Sequence, residues 1–228
     1  MRLRGRIQVI IVGLLIWASQ SFYVVDELRD HIDFQSTKDF GILENIEIDE
    51  ASGMVASQRN PEHYWVINDS ENLNRMFLVS ESGQGKAEYS FTGLENRDWE
   101  AMGRWQNRTG QTYLYIADIG DNLAQNASYH VHRFLEPSLK LTDPLRRVIH
   151  ATQSVEFTLP DGARDMECML IDQKSGDLFL ISKREDHKRL YRLPADAFAK
   201  SGIQQAEFIS ELNFSVPTSD VGLLKQLY

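Results

Sequence analysis

The chain has 228 residues, 42% of them hydrophobic and 25% charged, with a formal net charge of −9. That is enough apolar residue for one sizeable core and too much for a disordered segment. An acidic chain with no Lys/Arg cluster in its body is a poor candidate for a general nucleic-acid binder and is compatible with cation binding.

The N-terminus departs from the rest. Arg2, Arg4 and Arg6 precede the apolar run "IQVIIVGLLIWA" and the small, polar "SQS". A basic start, a short apolar core and a small-residue exit make residues 1–21 a secretory signal, with a membrane anchor through residues 7–25 as the alternative. Both place the protein outside the cytoplasm, as a periplasmic, extracellular or membrane-anchored chain, with residues 22–37 as a linker. Cys168 is the single cysteine, so an exported chain holds itself together without an internal disulfide. Its place in an apolar run marks it as a core thiol rather than a nucleophile.

From residue 38 onward the sequence repeats. Aligning on Met54, Met102 and Met169 puts small residues one position earlier (Gly53, Ala101, Cys168). Ser52, Glu100 and Glu167 stand two positions earlier, and Glu50, Asp98 and Asp165 four earlier. Each head is followed by a turn-rich link and a second apolar run: "HYWVINDS" (63–70), "TYLYIADIGD" (112–121), "DLFLISKRED" (177–186). A third run follows, "RMFLVS" (75–80), "YHVHRF" (129–134) and "RLYRLP" (189–194), then a fourth, "AEYSFTG" (87–93), "SVEFTLP" (154–160) and "AEFISEL" (206–212). These alternate apolar and polar residues as half-buried strands do.

Four short strands per unit, repeated, predict an all-β fold and specifically a β-propeller. Blades begin near 50, 98 and 165, a partial blade begins at about 215, and an insertion occupies 135–153. About three and a half blades fit into 38–228, so the expectation is an incomplete propeller. The stretch 39–48 is expected to be an outer strand.

The innermost strand of a blade lines the central channel. Residues two apart on it share a face, so Asp98 with Glu100 and Asp165 with Glu167 form an acidic ring at one mouth, joined by Glu50 and Ser52. Like charges around one axis need relief. Arg97 and Arg164, one position before the acids, offer it, as do backbone N–H groups. A hard cation such as Ca²⁺ also suits, with Glu50, Asp98, Asp165 and Glu167 as ligands. Direct chemistry by the acids is the third possibility. A secondary polar cluster follows the second strand: Asn68 and Asp69, then Asp118 and Asp121, with Asp69 aligned to Asp118. Turn formation is the plainer role for these residues. His130 and His132 are expected on a solvated strand face, and Trp99 between blades. No G-x-S-x-G, H-E-x-x-H, phosphate loop or C-x-x-C occurs.

The heads "EASGM", "DWEAM" and "DMECML", with "NDS", "ADIGDN" and "LFLISKR", resemble secreted bacterial six-bladed propellers of the TolB-like type, with the SdiA-regulated, phytase-like and esterase-like propellers as relatives. The resemblance spans roughly 45–228. It implies a fragment of a six-bladed propeller and an exported location. In the related gluconolactonase and paraoxonase propellers a Glu heading an inner strand binds Ca²⁺ in the channel, and Glu50 matches it, with Asp98 and Asp165 repeating it. The functional expectation is an exported binding module for a small molecule or envelope protein, with a Ca²⁺ site at the channel mouth. A Ca²⁺-dependent hydrolase of the lactonase, esterase or phosphoesterase kind and an envelope interaction scaffold are the alternatives.

Overall fold

A computed structural model describes residues 41–70, 72–140 and 142–214. The signal or anchor expected at 1–21, the linker at 22–37 and the partial blade from about 215 lie outside the described residues. Among those described, no helix is long and apolar enough to cross a membrane.

The fold is all-β. The first sheet is built from β1 (Ala51–Ala56), β2 (His63–Asn68), β3 (Arg75–Ser80) and β4 (Gly85–Phe91) in that order. The second uses β5 (Trp99–Gln106), β6 (Thr112–Asp118), β7 (Tyr129–Leu135) and β9 (Gln153–Thr158). The third uses β10 (Met166–Ile171), β11 (Leu178–Ser182), β12 (Lys188–Leu193) and β14 (Glu207–Leu212). Each is an antiparallel meander, and its strands coincide with the four runs read from each repeat.

Two further strands make the sheets interlock. β8 (Arg146–Ile149), inside the 135–153 insertion, returns to pair in parallel with β4. β13 (Gln204–Gln205) pairs in parallel with β9, the outer strand of the second sheet. A short 3₁₀ helix, Ala195–Ala199, precedes it.

The repeat extends to the irregularities. The first strand of every sheet carries a bulge at its head, between Ala51 and Gly53, Trp99 and Ala101, and Met166 and Cys168. Beyond the bulge Met54 faces Val66, Met102 faces Ile116 and Met169 faces Leu180. This register corrects the sequence alignment by one residue. Asn68, Asp118 and Ser182 are equivalent, so Asp69 corresponds to Ile119 and Lys183 rather than to Asp118. The link between first and second strands differs in length from unit to unit, and only hydrogen-bond pairing fixes where each second strand ends.

The sheets pack face to face. Trp65, Ile67, Met76 and Leu78 of the first meet Trp99, Leu114, Ile116 and Phe134 of the second. The opposite face of the second, with Tyr115, Tyr129 and Val131, meets Met166, Leu180 and Tyr191 of the third. Removing one such aromatic fully from water contributes about 4–6 kcal/mol before entropy is counted. The inner strands β1, β5 and β10 lie side by side with β5 in the middle. Their close approach explains the small residue before each methionine. A Cβ on Gly53 would lie 2.8 Å from the backbone nitrogen of Met102.

The segment 41–48 is not a strand, contrary to expectation. It lies over the outer face of the first sheet, where Ile48 packs with Val66, Phe77 and Val79. Glu44 N–H donates to the Gly83 carbonyl at 3.0 Å. Gly83 has φ +86°, and any side chain there would collide with the Ile42 carbonyl. The strap sits on a sheet face, where no ladder partner is available to make it a strand.

Candidate functional site

The heads of the three inner strands sit at one end of the sheets, as the repeat predicts. Their surroundings differ, although their sequences nearly match.

In the third sheet the acids are neutralised. Asp165, 3% exposed, accepts from Arg184 Nε at 2.7 Å and from the Asp121 N–H at 2.9 Å. Glu167 accepts from Lys183 Nζ at 2.6 Å, and this contact is the leading reason the Lys183 amine sits above its ordinary pKa. Lys183 and Arg184 directly follow β11, and the Lys183 N–H donates to the Asp165 carbonyl at 3.0 Å, which holds them beside the acids.

In the second sheet the same two positions are Ile119 and Gly120, so no cation arrives. Asp98 is 9% and Glu100 7% exposed. Burial, helped by contact with Asp69, pushes Asp98 up to about 6. Burial, then the charges of Glu167 and Asp69, pushes Glu100 up to about 9. Asp98 Oδ1 is buried with no hydrogen-bond partner among the described residues. Asp69 comes across from the end of β2, and one carboxylate oxygen from each of Asp69, Asp98 and Glu100 lies within 4.8 Å of the others. Gly120 leaves room for this arrangement. A Cβ there would overlap the Asp98 carboxyl and lie 2.8 Å from Glu100 Oε1.

In the first sheet the head is loose. Glu50 is exposed and accepts from Asn72 Nδ2 at 3.4 Å. Ser52 Oγ donates to the Trp99 carbonyl at 2.5 Å, tying β1 to β5. Asn96 holds the meeting point of the two sheets. Its amide donates to the Asp69 carbonyl at 2.7 Å and its Oδ1 accepts from the Trp99 N–H at 3.1 Å. Asp49, Glu50, Ser52, Asp69, Glu100 and Glu167 line an open cavity of 540 Å³.

The structure thus gathers Asp69, Asp98 and Glu100, with Glu50, Ser52 and Glu167 on the rim. It withdraws Asp165, whose carboxylate is bound to Arg184. Among the expected metal ligands, Asp98 lies in the cluster and Asp165 does not. Asp69 joins it, expected only as part of the secondary cluster. The rest of that cluster is structural. Asp118 Oδ1 accepts from the Asp98 N–H at 2.9 Å, and burial raises its pKa against the pull of Arg97. Asp121 caps a turn, accepting from the Gln125 and Asn126 N–H groups and from the Tyr129 hydroxyl, each at 2.9 Å. Asn68 Nδ2 donates to the Glu47 carbonyl at 2.7 Å.

Arg97 and Arg164 do not relieve the ring. Arg97 meets Asp118 at 3.5 Å and Arg164 meets Glu185 at 2.7 Å, because adjacent residues of an extended chain point to opposite sides. His132 is also corrected. It is 5% exposed, its Nδ1 contacts Ser154 Oγ at 2.7 Å, and burial, with the nearby His130 and Arg97 charges, pushes it down to about 4. Trp99 packs between the sheets, edge-on to Phe91. Cys168 is partly buried and burial raises its thiol pKa.

No family model matches the chain, and no curated protein matches it. Among solved structures, a chain of ctPRC2 in complex with H3K27me3 and H3K27M is similar at 14% identity and TM-score 0.37, over 63% of this chain and 27% of that one. The matched region spans about a quarter of that chain's length, and a likeness this slight carries no argument about fold or function.

Proposed function

We propose that the three sheets are blades of a β-propeller and that the protein is an exported binding module whose channel mouth holds a hard divalent cation, Ca²⁺ in the first instance. One observation carries this reading. Asp69, Asp98 and Glu100 bring three carboxylates together in a site that no lysine or arginine pairs with among the described residues, and Asp98 Oδ1 is buried there without a partner among them. An all-oxygen donor set suits Ca²⁺, which takes six to eight such ligands. Three carboxylates leave coordination positions open toward the cavity, where water, Glu50, Glu167 or an oxygen-bearing ligand completes the shell. The export half of the proposal rests on the basic and apolar pattern of residues 1–21.

The decisive measurement is metal content, by mass spectrometry, of the full chain purified without chelator, followed by thermal melts with and without cation. Stoichiometric calcium is expected. So is a stabilisation of about 2.7 kcal/mol at a hundredfold excess over Kd, lost in the Asp98→Asn/Glu100→Gln double variant. An empty protein whose melting is indifferent to Ca²⁺, Mg²⁺ and Mn²⁺ would sink the proposal.

A further inference from the structure

The inner strands carry the opposite charge at their other end. The link from first to second strand holds one cation in every unit, set between an amide and a small polar residue. The three versions are Gln58-Arg59-Asn60, Asn107-Arg108-Thr109 and Gln173-Lys174-Ser175. Side chains clasp this end together. The Arg104 guanidinium donates to the Ala56 carbonyl at 2.9 Å, and Gln173 Nε2 donates to the Arg104 carbonyl at 3.0 Å.

Between the second and third links lies a cavity of 460 Å³, with Trp105, Asn107, Arg108, Thr109, Lys174 and Ser175 in its lining and no Asp or Glu. The cavity at the acid heads is its inverse, lined by acids and by no cation. Arg108 and Lys174 are exposed, and neither side chain makes a hydrogen bond or ion pair among the described residues. Both links are held in shape by other groups. Asn107 Oδ1 accepts from the Thr109 N–H at 3.0 Å and the Gln111 N–H at 2.9 Å. Asp172, the acid nearest in sequence, accepts from the Lys174 N–H at 3.0 Å and the Ser175 hydroxyl at 2.8 Å. Trp105 Nε1 is buried with no partner among the described residues, a donor whose acceptor the protein does not supply.

We propose that this cavity binds the phosphate group of a phosphate monoester, held between Arg108 and Lys174. Arg108 offers a planar fork for two phosphate oxygens and Lys174 a point charge. A carboxylate is satisfied by one such cation, whereas two cations on one cavity suit the near-double charge of a phosphate monoester. The volume leaves room for the organic part of the ester. This inference goes beyond the cation site at the opposite end and does not depend on it.

The test uses the full chain, stripped of metal by chelator and then dialysed, so that the acid heads are silent. Glycerol 3-phosphate is titrated in while tryptophan emission is followed. A saturable change is expected, with Kd on the order of 1 mM, and acetate at equal ionic strength is expected to give none. Arg108→Gln/Lys174→Gln is expected to weaken binding about tenfold or more, with circular dichroism and melting unchanged because both side chains are exposed. Lys140→Gln/Lys200→Gln removes the same charge elsewhere and is expected to bind as before. Trp105→Phe is expected to abolish the emission change. Vesicles of phosphatidylcholine with and without phosphatidic acid identify the source. Retention by phosphatidic acid that Arg108→Gln/Lys174→Gln removes gives the site to a lipid headgroup, and indifference to it, with glycerol 3-phosphate bound, gives it to a soluble ester. No response up to about 20 mM ester would overturn the proposal. So would a response that acetate matches, that survives Arg108→Gln/Lys174→Gln, or that Lys140→Gln/Lys200→Gln loses equally.

Discussion

The heads of β5 and β10 read "RDWEAM" and "RDMECM", yet one is a charge problem and the other is solved. Asp165 and Glu167 are met by Arg184 and Lys183. Asp98 and Glu100 are met by Ile119 and Gly120, and by a third acid, Asp69, from the neighbouring sheet. What separates a structural acid pair from a candidate binding site is therefore two residues at the far end of the next strand, some 16 to 22 positions away. A repeat holds the backbone constant and lets such substitutions decide the chemistry.

The sharpest way to break the comparison is to remove one acid from each head. Asp165→Ala leaves the buried Asp121 N–H without its acceptor and frees a half-exposed arginine that water can solvate, and is expected to cost about 1–3 kcal/mol. In chelator, Asp98→Asn is expected to be neutral or stabilising, because it discharges an uncompensated buried acid. Urea melts of the two variants test the pair. Equal losses would mean that the two heads are alike after all.

The pH dependence comes next. Asp98 and Glu100 have folded pKa values raised above their ordinary 3.8 and 4.5, to about 6 and about 9. The folded state therefore holds protons that the unfolded state releases. Stability is full below about pH 4 on this account and falls as pH climbs through 6 and then 9. The Asp98 share is on the order of 2–3 kcal/mol. Thermal melts in chelator between about pH 5 and 9 should slope downward, and Ca²⁺ should flatten the slope. A chelated protein equally stable across that range would refute the assignment.

Gly120→Ala drives a methyl group into the Asp98 carboxyl and is expected to cost about 1–3 kcal/mol, with the cation-induced rise in melting temperature lost as well. If that rise survives, the acids do not need the space Gly120 leaves. The smallest effect belongs to Lys183→Gln. Lys183 and Glu167 are partly in solvent, so the loss should be about 0.5 kcal/mol in low salt and vanish in high salt.

The strand pattern was open to reading from sequence because period-two alternation and turn residues recur three times. All twelve meander strands follow from it, with boundaries within a few residues. The acids at the heads were equally visible. Their division into paired and unpaired was hidden, because it depends on which residue follows the second strand, and a one-residue register error places Asp69 beside Asp118 instead of Ile119. His132 escaped for a related reason. Alternation says that it shares a face with Phe134, but not that this face is the one buried against the first sheet.

The returning strands β8 and β13 have a consequence for the order of assembly. Each is encoded beyond the inner strand of the sheet that follows and completes the outer edge of the sheet before it. During synthesis, then, the first sheet keeps an unsatisfied rim until residue 149 has left the ribosome, and the second until residue 205. The first two units each wait for the next to hem them. The chain matures with a lag of one repeat, and the most recently made sheet is always the one with raw backbone for a chaperone, or a wrong neighbour, to grip.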